Sequence, residues 1–264
     1  MARALITGCS SGFGRATAVE LKRRGHEVVA TARRPETIAG LEADAHLTLD
    51  VTDDASVAAA VERAGEIDVL VNNAGFGVRG PVELVPLGEV RRLFETNVFG
   101  PLRMMQAVLP SMRARGSGTI VNVSSVSGRV ASPLSGSYAA SKFALEAMSE
   151  ALHIEAGHFG IRTVLIEPGF FRTNLAQSRL AYGVDAPPYD ELHAVMEQLT
   201  AQLGRDAAPG PEVVATAIAD AIEAPGSPWR VPVGVDAQMV LGARAAMDDA
   251  AFEQAMREVL NLDW

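Results

Sequence analysis

Residues 4–14 read ALITGCSSGFG, an apolar run that ends at Thr7 and is followed by glycines at positions 8, 12 and 14. A glycine-rich turn between a strand and a helix is typical of dinucleotide sites. The glycines let the backbone approach a pyrophosphate, and the free N–H groups at the helix N-terminus attract its charge. Taken alone, these glycines also fit an ordinary tight turn between a strand and a helix. We predict a phosphate at the helix N-terminus and cofactor contacts from Gly8, Ser10, Ser11, Gly12, Phe13 and Gly14.

Short β-branched runs alternate with longer helical patterns on both sides of this turn. Because each run is almost continuously apolar, it suits a strand covered by helices on both faces. The pattern predicts an α/β fold, a Rossmann-type doubly wound parallel sheet of about seven strands with helices on both faces. Predicted strands are 4–7, 27–31, 46–49, 67–71, 118–123, 161–166 and 229–233; predicted helices are 15–24, 53–64, 87–115 (as two helices), 138–159, 212–222 and 243–259.

The whole chain, residues 1–264, is expected to form a single domain, since one core is the economical solution for an α/β chain of this length. Regularity weakens between residues 172 and 210, where two Pro-rich stretches flank a helical patch. We interpret this segment as a substrate lid that leaves the core and returns to it, rather than as a linker to a second domain.

Composition and charge limit the classes of function. The formal net charge of −9 at pH 7 repels phosphate backbones and anionic lipid, so a small molecule is a better partner than nucleic acid or a membrane. Cys9 is the only cysteine, which excludes an internal disulfide and a CxxC zinc site, and we predict no metal. The N-terminus carries no signal-peptide pattern, so we expect a cytoplasmic protein.

The end of the second predicted strand indicates which dinucleotide is bound. An acidic residue at that position bonds a free ribose 2′-hydroxyl, whereas an arginine suits a 2′-phosphate. The strand here ends in Thr31-Ala32-Arg33, without an acid. We therefore predict NADP(H), with Arg33 as the phosphate contact. Alternatively, Arg33 and Arg34 are solvated loop charges.

Tyr138 and Lys142 are candidates for acid/base chemistry. Their i, i+4 spacing places both on one face of a helix, and an ammonium beside a phenol favours the phenolate, which is the form that accepts a proton. Lysine occurs at only two positions, so a merely structural cation would more often have been arginine. The alternative is a surface pair. Ser125 follows a predicted strand where α/β sheets bind ligands, although a serine there is also common as a loop or N-cap residue.

Together these motifs resemble the short-chain dehydrogenase/reductase family, in its single-domain branch, over residues 3 to about 174. Within that family, the sequence most resembles members such as 17β-hydroxysteroid and retinol dehydrogenases. The matching features occur in the family's order: Thr7-Gly8-x-x-x-Gly12-x-Gly14, Asn72-Asn73-Ala74-Gly75, Asn97, Ser125, Tyr138-x-x-x-Lys142 and Pro168-Gly169-x-x-x-Thr173.

The resemblance implies a role for each matching residue. Tyr138 would exchange the substrate proton, Ser125 would hold the substrate oxygen, and Lys142 would bind the nicotinamide ribose. Asn97 would fix a water that links the lysine to solvent. The resemblance also implies cofactor contacts from Tyr138, Lys142, Asp50, Val51, Asn73, Ala74, Gly75, Pro168, Gly169, Phe171 and Thr173.

These residues predict an oxidoreductase that interconverts a ketone or aldehyde and an alcohol. An apolar or aromatic substrate is expected, unless the candidate wall residues merely seal the core. Those candidates are Val130, Leu134, Phe170, Phe171, Leu175, Leu180, Tyr182, Tyr189, Leu192 and Met196. Relatives commonly associate through helices matching 97–113 and 138–159, which implies a homodimer or homotetramer.

Three alternatives are weaker. An NAD-dependent alcohol or steroid dehydrogenase of the same family would differ only in cofactor. A non-catalytic dinucleotide sensor predicts loss of the tyrosine, lysine or serine, and all three are present. A nucleotide-sugar epimerase or dehydratase would need a C-terminal substrate domain, for which the chain leaves no room.

Overall fold

The computed structural model of the protein describes residues 1–173, 180–184, 186–202, 208–224 and 226–260. In chain order within these ranges, strands β1 to β9 are Arg3–Ile6, Glu27–Ala32, Ala45–Thr48, Val69–Asn72, Val78–Arg79, Gly118–Val123, Ile161–Pro168, Leu180–Ala181 and Arg230–Val233. The largest sheet has seven parallel strands in the order β3-β2-β1-β4-β6-β7-β9, and β5 and β8 pair as a short separate sheet.

Helices cover both faces of the seven-stranded sheet. In chain order, α1 to α9 are Gly12–Arg23, Asp54–Ala64, Leu87–Phe94, Gly100–Arg115, Gly136–Gly157, Asp190–Gln202, Pro211–Glu223, Val235–Ala246 and Asp249–Leu260. Short 3₁₀ turns span Pro35–Ile38 and Val126–Gly128, and a π-helical turn spans Glu95–Phe99.

Neighbouring residues of each strand belong to opposite layers of the core, as strand geometry requires. Ile6 of β1 packs in a buried cluster with α1 and α7, whereas Leu5 packs in a second cluster with α2 and α4. Fully buried helix side chains complete each layer of the core, such as Leu21 in the layer of Ile6 and Met104 in the layer of Leu5. The predicted doubly wound α/β fold is therefore confirmed.

The strand order reverses beside β1, which is where a crevice opens in such sheets. From β1 the chain moves outward through β2 to β3 and then returns to β4 on the other side of β1. The loop after β1 leads to α1 on one face of the sheet, whereas the chain after β4 continues to α4 on the other face. The glycine turn lies at this point.

A chain of buried amides and a hydroxyl ties α5 to the centre of the sheet. Asn72 donates to Asn122 Oδ1 (2.9 Å), and Asn122 donates to Ser149 Oγ (2.8 Å). Ser149 in turn donates to the Leu145 carbonyl (2.7 Å), and all three polar side chains are buried. Because buried polar groups are costly when unpaired, this chain specifies one position of α5 on β4 and β6.

Two parts of the C-terminal half differ from the sequence-based expectation. The single helix predicted over 243–259 is wrong, since α8 ends at Ala246 and α9 begins at Asp249. Met247 has an extended backbone there, and Asp248 Oδ1 accepts from Ala251 N (2.9 Å) as a helix cap. Of the predicted excursion 172–210, residues 174–179, 185 and 203–207 lie outside the described residues.

No helix in the described part of the chain combines the length and the apolar character that crossing a membrane requires.

Gly14 is expected to tolerate no side chain. A Cβ on Gly14 would lie 2.5 Å from the Gly8 carbonyl oxygen and closer still to Asn73 Nδ2. We expect Gly14→Ala to destabilise the protein by about 1–3 kcal/mol, as overpacking does. Gly242→Ala is the matched control, because Gly242 lies inside α8 with open space around it; it should stabilise by about 0.5–1 kcal/mol. Urea unfolding of both variants measures the two changes, and a Gly14→Ala variant as stable as wild type would contradict this packing.

Candidate active site

A cleft of about 570 Å³ opens at the carboxyl ends of β1, β2, β4 and β6. Most of the residues predicted for the site line it: Gly8, Ser10, Ser11, Gly12, Phe13, Arg33, Asp50, Val51, Asn73, Ala74, Gly75, Tyr138, Lys142 and Thr173. Others predicted for the site do not line it: Gly14, Asn97, Ser125, Pro168, Gly169 and Phe171. Further lining residues, not predicted from the sequence, are Ala32, Leu49, Thr52, Phe76, Arg92, Thr96, Val123 and Ser124, whereas Leu180 was predicted as part of the substrate wall and also lines the cleft.

The floor of the cleft at one end is the glycine turn. Gly8 and Gly12 both have positive φ (75° and 58°), which side chains disfavour. Helix α1 begins at Gly12 without a side-chain cap from Ser11 and without an acidic residue in its first turn. The first N–H groups of α1 and the positive end of its dipole therefore face the cleft uncompensated, which suits a phosphate.

Thr7 and Asn73 hold the glycine turn against the end of β4. Thr7 Oγ1 accepts from the backbone N–H groups of Asn73 and Ala74, both at 2.9 Å. Asn73 Nδ2 donates to the carbonyls of Thr7 (2.9 Å) and Gly8 (3.2 Å). Asn73 thus both lines the cleft and braces its floor.

Arg33 and Asp50 lie on the side of the cleft formed by the ends of β2 and β3. Arg33 is exposed and lines the cleft, whereas Arg34 points elsewhere, 3.9 Å from Glu36. Burial alone would raise the pKa of Asp50. The backbone and hydroxyl of Thr52, with Arg33 nearby, instead lower that pKa below its usual value. Asp50 is therefore an ionised acceptor beside a cation.

Tyr138 and Lys142 share one face of α5 at the other end of the cleft. Both side chains are largely buried, and Lys142 Nζ lies 5.9 Å from the centroid of the Tyr138 ring. Lys142 Nζ donates to the Val123 carbonyl (2.8 Å), so the ammonium is held at the carboxyl end of β6. The ring of Tyr138 packs with Val78, Val85 and Leu93.

Asn97 lies behind the cleft, on the π-helical turn between α3 and α4. Its Nδ2 donates to the Phe76 carbonyl (3.0 Å) and to Ser141 Oγ (3.2 Å), and its Oδ1 accepts from Phe76 N (3.1 Å). With 1% of its surface exposed, Asn97 braces the Gly75–Phe76 backbone against α5. Its part in a water relay stays a prediction.

Ser125 begins the 3₁₀ turn after β6, and its Oγ accepts from Ser127 N (3.1 Å). The preceding Ser124 lines the cleft, whereas Ser125 does not. Two adjacent serines at a strand end carry no sequence signal that separates them, so the sequence did not indicate that Ser124 reaches the cleft. The role of Ser125 toward the substrate oxygen stays a prediction.

The segment after β7 is held mainly by contacts away from the cleft. Gly169 N donates to the Val233 carbonyl (2.9 Å), and Phe170 N donates to Asp236 Oδ2 (2.6 Å). The Phe171 ring packs edge-on against Phe13, with centroids 5.7 Å apart. Thr173 does line the cleft, opposite Gly12.

The family model for short chain dehydrogenases matches residues 2–182. The chain belongs to the short-chain dehydrogenase family. The resemblance inferred from the motifs is thereby confirmed, and members of this oxidoreductase family use nicotinamide cofactors.

Individual members of the family are similar over most of the chain. A 3-ketodihydrosphingosine reductase of Bacteroides thetaiotaomicron is 37% identical over 261 residues, 96% of each protein. The 17-beta-hydroxysteroid dehydrogenase type 1 of Homo sapiens is 39% identical over 242 residues, 84% of this chain and 74% of that one. The crystal structure of a short chain dehydrogenase from Burkholderia cenocepacia in complex with NADP has a TM-score of 0.78 at 29% identity, covering 98% of this chain and 97% of that one.

In this short-chain dehydrogenase, many of the apolar residues expected to contact substrate belong to the core. Val130, Leu134, Phe171 and Leu192 are buried. The half-buried ones are Phe170, Leu180, Tyr182, Tyr189 and Met196, of which Leu180 lines the cleft; Leu175 lies outside the described residues.

The single cysteine is a buried part of the glycine turn. Cys9 Sγ donates to the Ile6 carbonyl (3.3 Å), and burial raises the pKa of the thiol to about 12. Because the thiolate is the reactive form, we expect a thiol reagent to label the native protein at least about 100-fold more slowly than the unfolded protein. Absorbance of the released chromophore measures both rates. Labelling at the rate of an exposed cysteine would contradict this burial.

Proposed function

We propose that the protein is an NADP(H)-dependent oxidoreductase that interconverts a ketone or aldehyde and an alcohol. One observation carries the proposal: a single cleft joins Arg33 and the N-terminus of α1 at one end to Tyr138 and Lys142 at the other. The first end suits a phosphorylated adenosine, and the second suits proton transfer. The substrate is a small molecule.

Residues of the cleft would hold the cofactor along its length. The N–H groups of the glycine turn would bind the pyrophosphate, and Arg33 the 2′-phosphate. Asp50 and Val51 would adjoin the adenine, and Lys142 would bind the nicotinamide ribose. When bound, NADP(H) supplies or accepts the hydride.

Tyr138 would donate the proton to the substrate oxygen during reduction and take it back during oxidation. Negative charge develops on that oxygen as the carbonyl carbon gains its hydride. Donors from Tyr138 and Ser125 would stabilise the charge, and Lys142 would add a positive field from the adjacent turn of α5. Asn97 would connect the lysine to solvent by fixing a water. Such proton transfer contributes on the order of 10²–10⁴ in rate.

An apolar or aromatic substrate is supported by the surroundings of Tyr138. Val78, Val85 and Leu93 pack against its ring from the core, and Phe76, which packs with them, lines the cleft together with Leu180. Apolar walls with a few placed polar groups are typical of small-molecule sites. The similarity to a 3-ketodihydrosphingosine reductase and to a steroid dehydrogenase is consistent with a bulky ketone.

We also propose a homodimer or homotetramer. Phe143, Ile154 and Phe159, on α5 and just beyond it, and Phe99, just before α4, are large apolar side chains with much of their surface exposed. A second copy of the chain would cover them.

Tyr138→Phe tests the proton donor. The ring and its packing remain while the hydroxyl is lost, so NADPH should bind with an unchanged dissociation constant. We expect kcat for ketone reduction to fall at least about 100-fold. NADPH fluorescence measures binding and the loss of NADPH absorbance measures turnover. Retained turnover would remove Tyr138 from the reaction.

Arg33→Ala tests the choice of cofactor. Loss of a charge-assisted contact to the 2′-phosphate costs about 1.5–3 kcal/mol, so KM for NADPH should rise roughly 10- to 100-fold while KM for NADH changes little. Arg34→Ala is the matched control, because Arg34 is also exposed but does not line the cleft. Equal effects of Arg33→Ala on both cofactors would favour the NAD-dependent alternative.

A further inference from the structure

Two carboxylates are buried behind the serine turn, here defined as residues Ser124–Gly128. Glu146 of α5 is 4% exposed and Glu167 of β7 is 1% exposed. Glu146 lies one turn beyond Lys142, so Tyr138, Lys142 and Glu146 follow one another along the same face of α5. Glutamates are almost never this buried unless paired, so their surroundings call for an explanation.

Glu146 reaches the serine turn directly. A Cβ built on Gly128 would lie 2.7 Å from Ser124 Oγ, 2.8 Å from Glu146 Cγ and 3.1 Å from Glu146 Oε1. Ser124 Oγ and Glu146 Oε1 are both buried, and neither has a hydrogen-bond partner among the described residues. Both atoms adjoin Gly128, so a hydrogen bond from the Ser124 hydroxyl to Glu146 Oε1 would remove the cost of leaving two buried polar atoms unsatisfied. Ser124 also lines the cleft, immediately before Ser125.

Arg230 of β9 holds the other oxygen of Glu146. Its Nη1 contacts Glu146 Oε2 and lies 3.2 Å from Glu167 Oε1, while its Nη2 donates to Glu150 Oε2 (2.7 Å). Arg129 Nη1 lies 3.5 Å from Glu167 Oε1. Three carboxylates thus meet two guanidinium groups. Burial and the nearby Glu167 carboxylate raise the pKa of Glu146, whereas the Ser124 hydroxyl and Arg230 act to lower it. The net shift of this pKa is upward.

Stability alone gives no reason for this arrangement. Buried ion pairs are often no more stabilising than well-packed apolar residues of similar volume, because the charges lose their hydration. Hydrogen-bonded buried groups do, however, fix a geometry that apolar contacts leave free to shift. The element fixed here is the turn that carries Ser125.

We propose that Glu146, braced by Arg230, is a positioning residue that fixes the serine turn, and with it the Ser125 hydroxyl, against α5. This inference rests on the proposed function, in which Ser125 holds the substrate oxygen. Lys142 anchors the Val123 carbonyl just before the turn, and Glu146 anchors the turn itself. A turn released from Glu146 would move the Ser125 hydroxyl away from the oxygen that it stabilises.

The test compares Glu146→Ala, Glu146→Gln and Glu150→Gln. Glu150→Gln is the matched control: Glu150 also pairs with Arg230, but its side chain is 61% exposed and lies away from the turn. We expect Glu146→Ala to lower kcat for ketone reduction at least about tenfold, since misplacement of a catalytic group by about 1 Å has effects of this order or larger. The dissociation constant for NADPH should change less than about twofold. In Glu146→Gln the amide can still bond both Ser124 and Arg230, so kcat should stay within about threefold of the wild-type value.

Hydrogen exchange of the cofactor-free protein supplies a readout independent of turnover. Ser127 N donates to Ser125 Oγ (3.1 Å), and Gly128 N donates to the Ser125 carbonyl (2.8 Å). These two amides should exchange faster in Glu146→Ala and at the wild-type rate in Glu150→Gln, because only the former loses the contact with the turn.

Two results would overturn the proposal: a folded Glu146→Ala variant with kcat within twofold of wild type, or unchanged exchange of both amides. Should Glu146→Ala fail to fold, Ser124→Ala removes the facing hydroxyl instead. Ser124→Ala should then lower kcat at least about fivefold, and an unchanged kcat in this variant would contradict the positioning role of Glu146. Failure of the proposed function is distinguishable, because wild type itself would then reduce no ketone and Tyr138→Phe would change nothing.

Discussion

The contact of Gly14 with Gly8 and Asn73 is the constraint on which the site depends. There is no room for a Cβ at Gly14, so the start of α1 lies directly on the turn that leaves β1. Asn73 and Thr7 then join that turn to the end of β4 through four hydrogen bonds of 2.9–3.2 Å. Because the strand order reverses between these strands, the same packing sets the width of the crevice in which a ligand lies.

Buried polar contacts add to apolar packing in positioning the face of helix α5 that meets the site. Lys142 bonds the end of β6, Ser141 bonds Asn97, and Ser149 ends the amide chain that begins at Asn72. Each of these groups is buried, so an alternative position of α5 would leave several donors without partners. The helix therefore has one favourable register on the sheet, and Tyr138 is placed by it.

Local sequence patterns predicted the parts of this molecule that local physics determines. The apolar runs, the glycine turn and the spacing of Tyr138 and Lys142 each specify a period or a backbone conformation, and the strands and the cleft follow them. Local patterns do not predict contacts between segments that are distant in sequence. Arg230 and Glu146 are 84 positions apart, and neither has a neighbour that signals the pairing. The sequence pattern remains helical through Met247, so it does not predict the break there. The capping contact of Asp248 makes that break.

Charge explains how an acidic protein can hold an anionic cofactor. With a formal net charge of −9, the chain as a whole repels a phosphorylated dinucleotide. Beyond about 8 Å, however, physiological salt screens much of that repulsion. Near the cleft positive charges predominate: the uncapped N-terminus of α1 has no acidic residue in its first turn, and Arg33, Arg92 and Lys142 line the walls, against Asp50 as the one carboxylate among the described lining residues. Attraction is therefore confined to short distances, at which it can also orient the ligand. In the proposed complex with NADP(H), the 2′-phosphate would lie at Arg33 and the reacting end beside Tyr138.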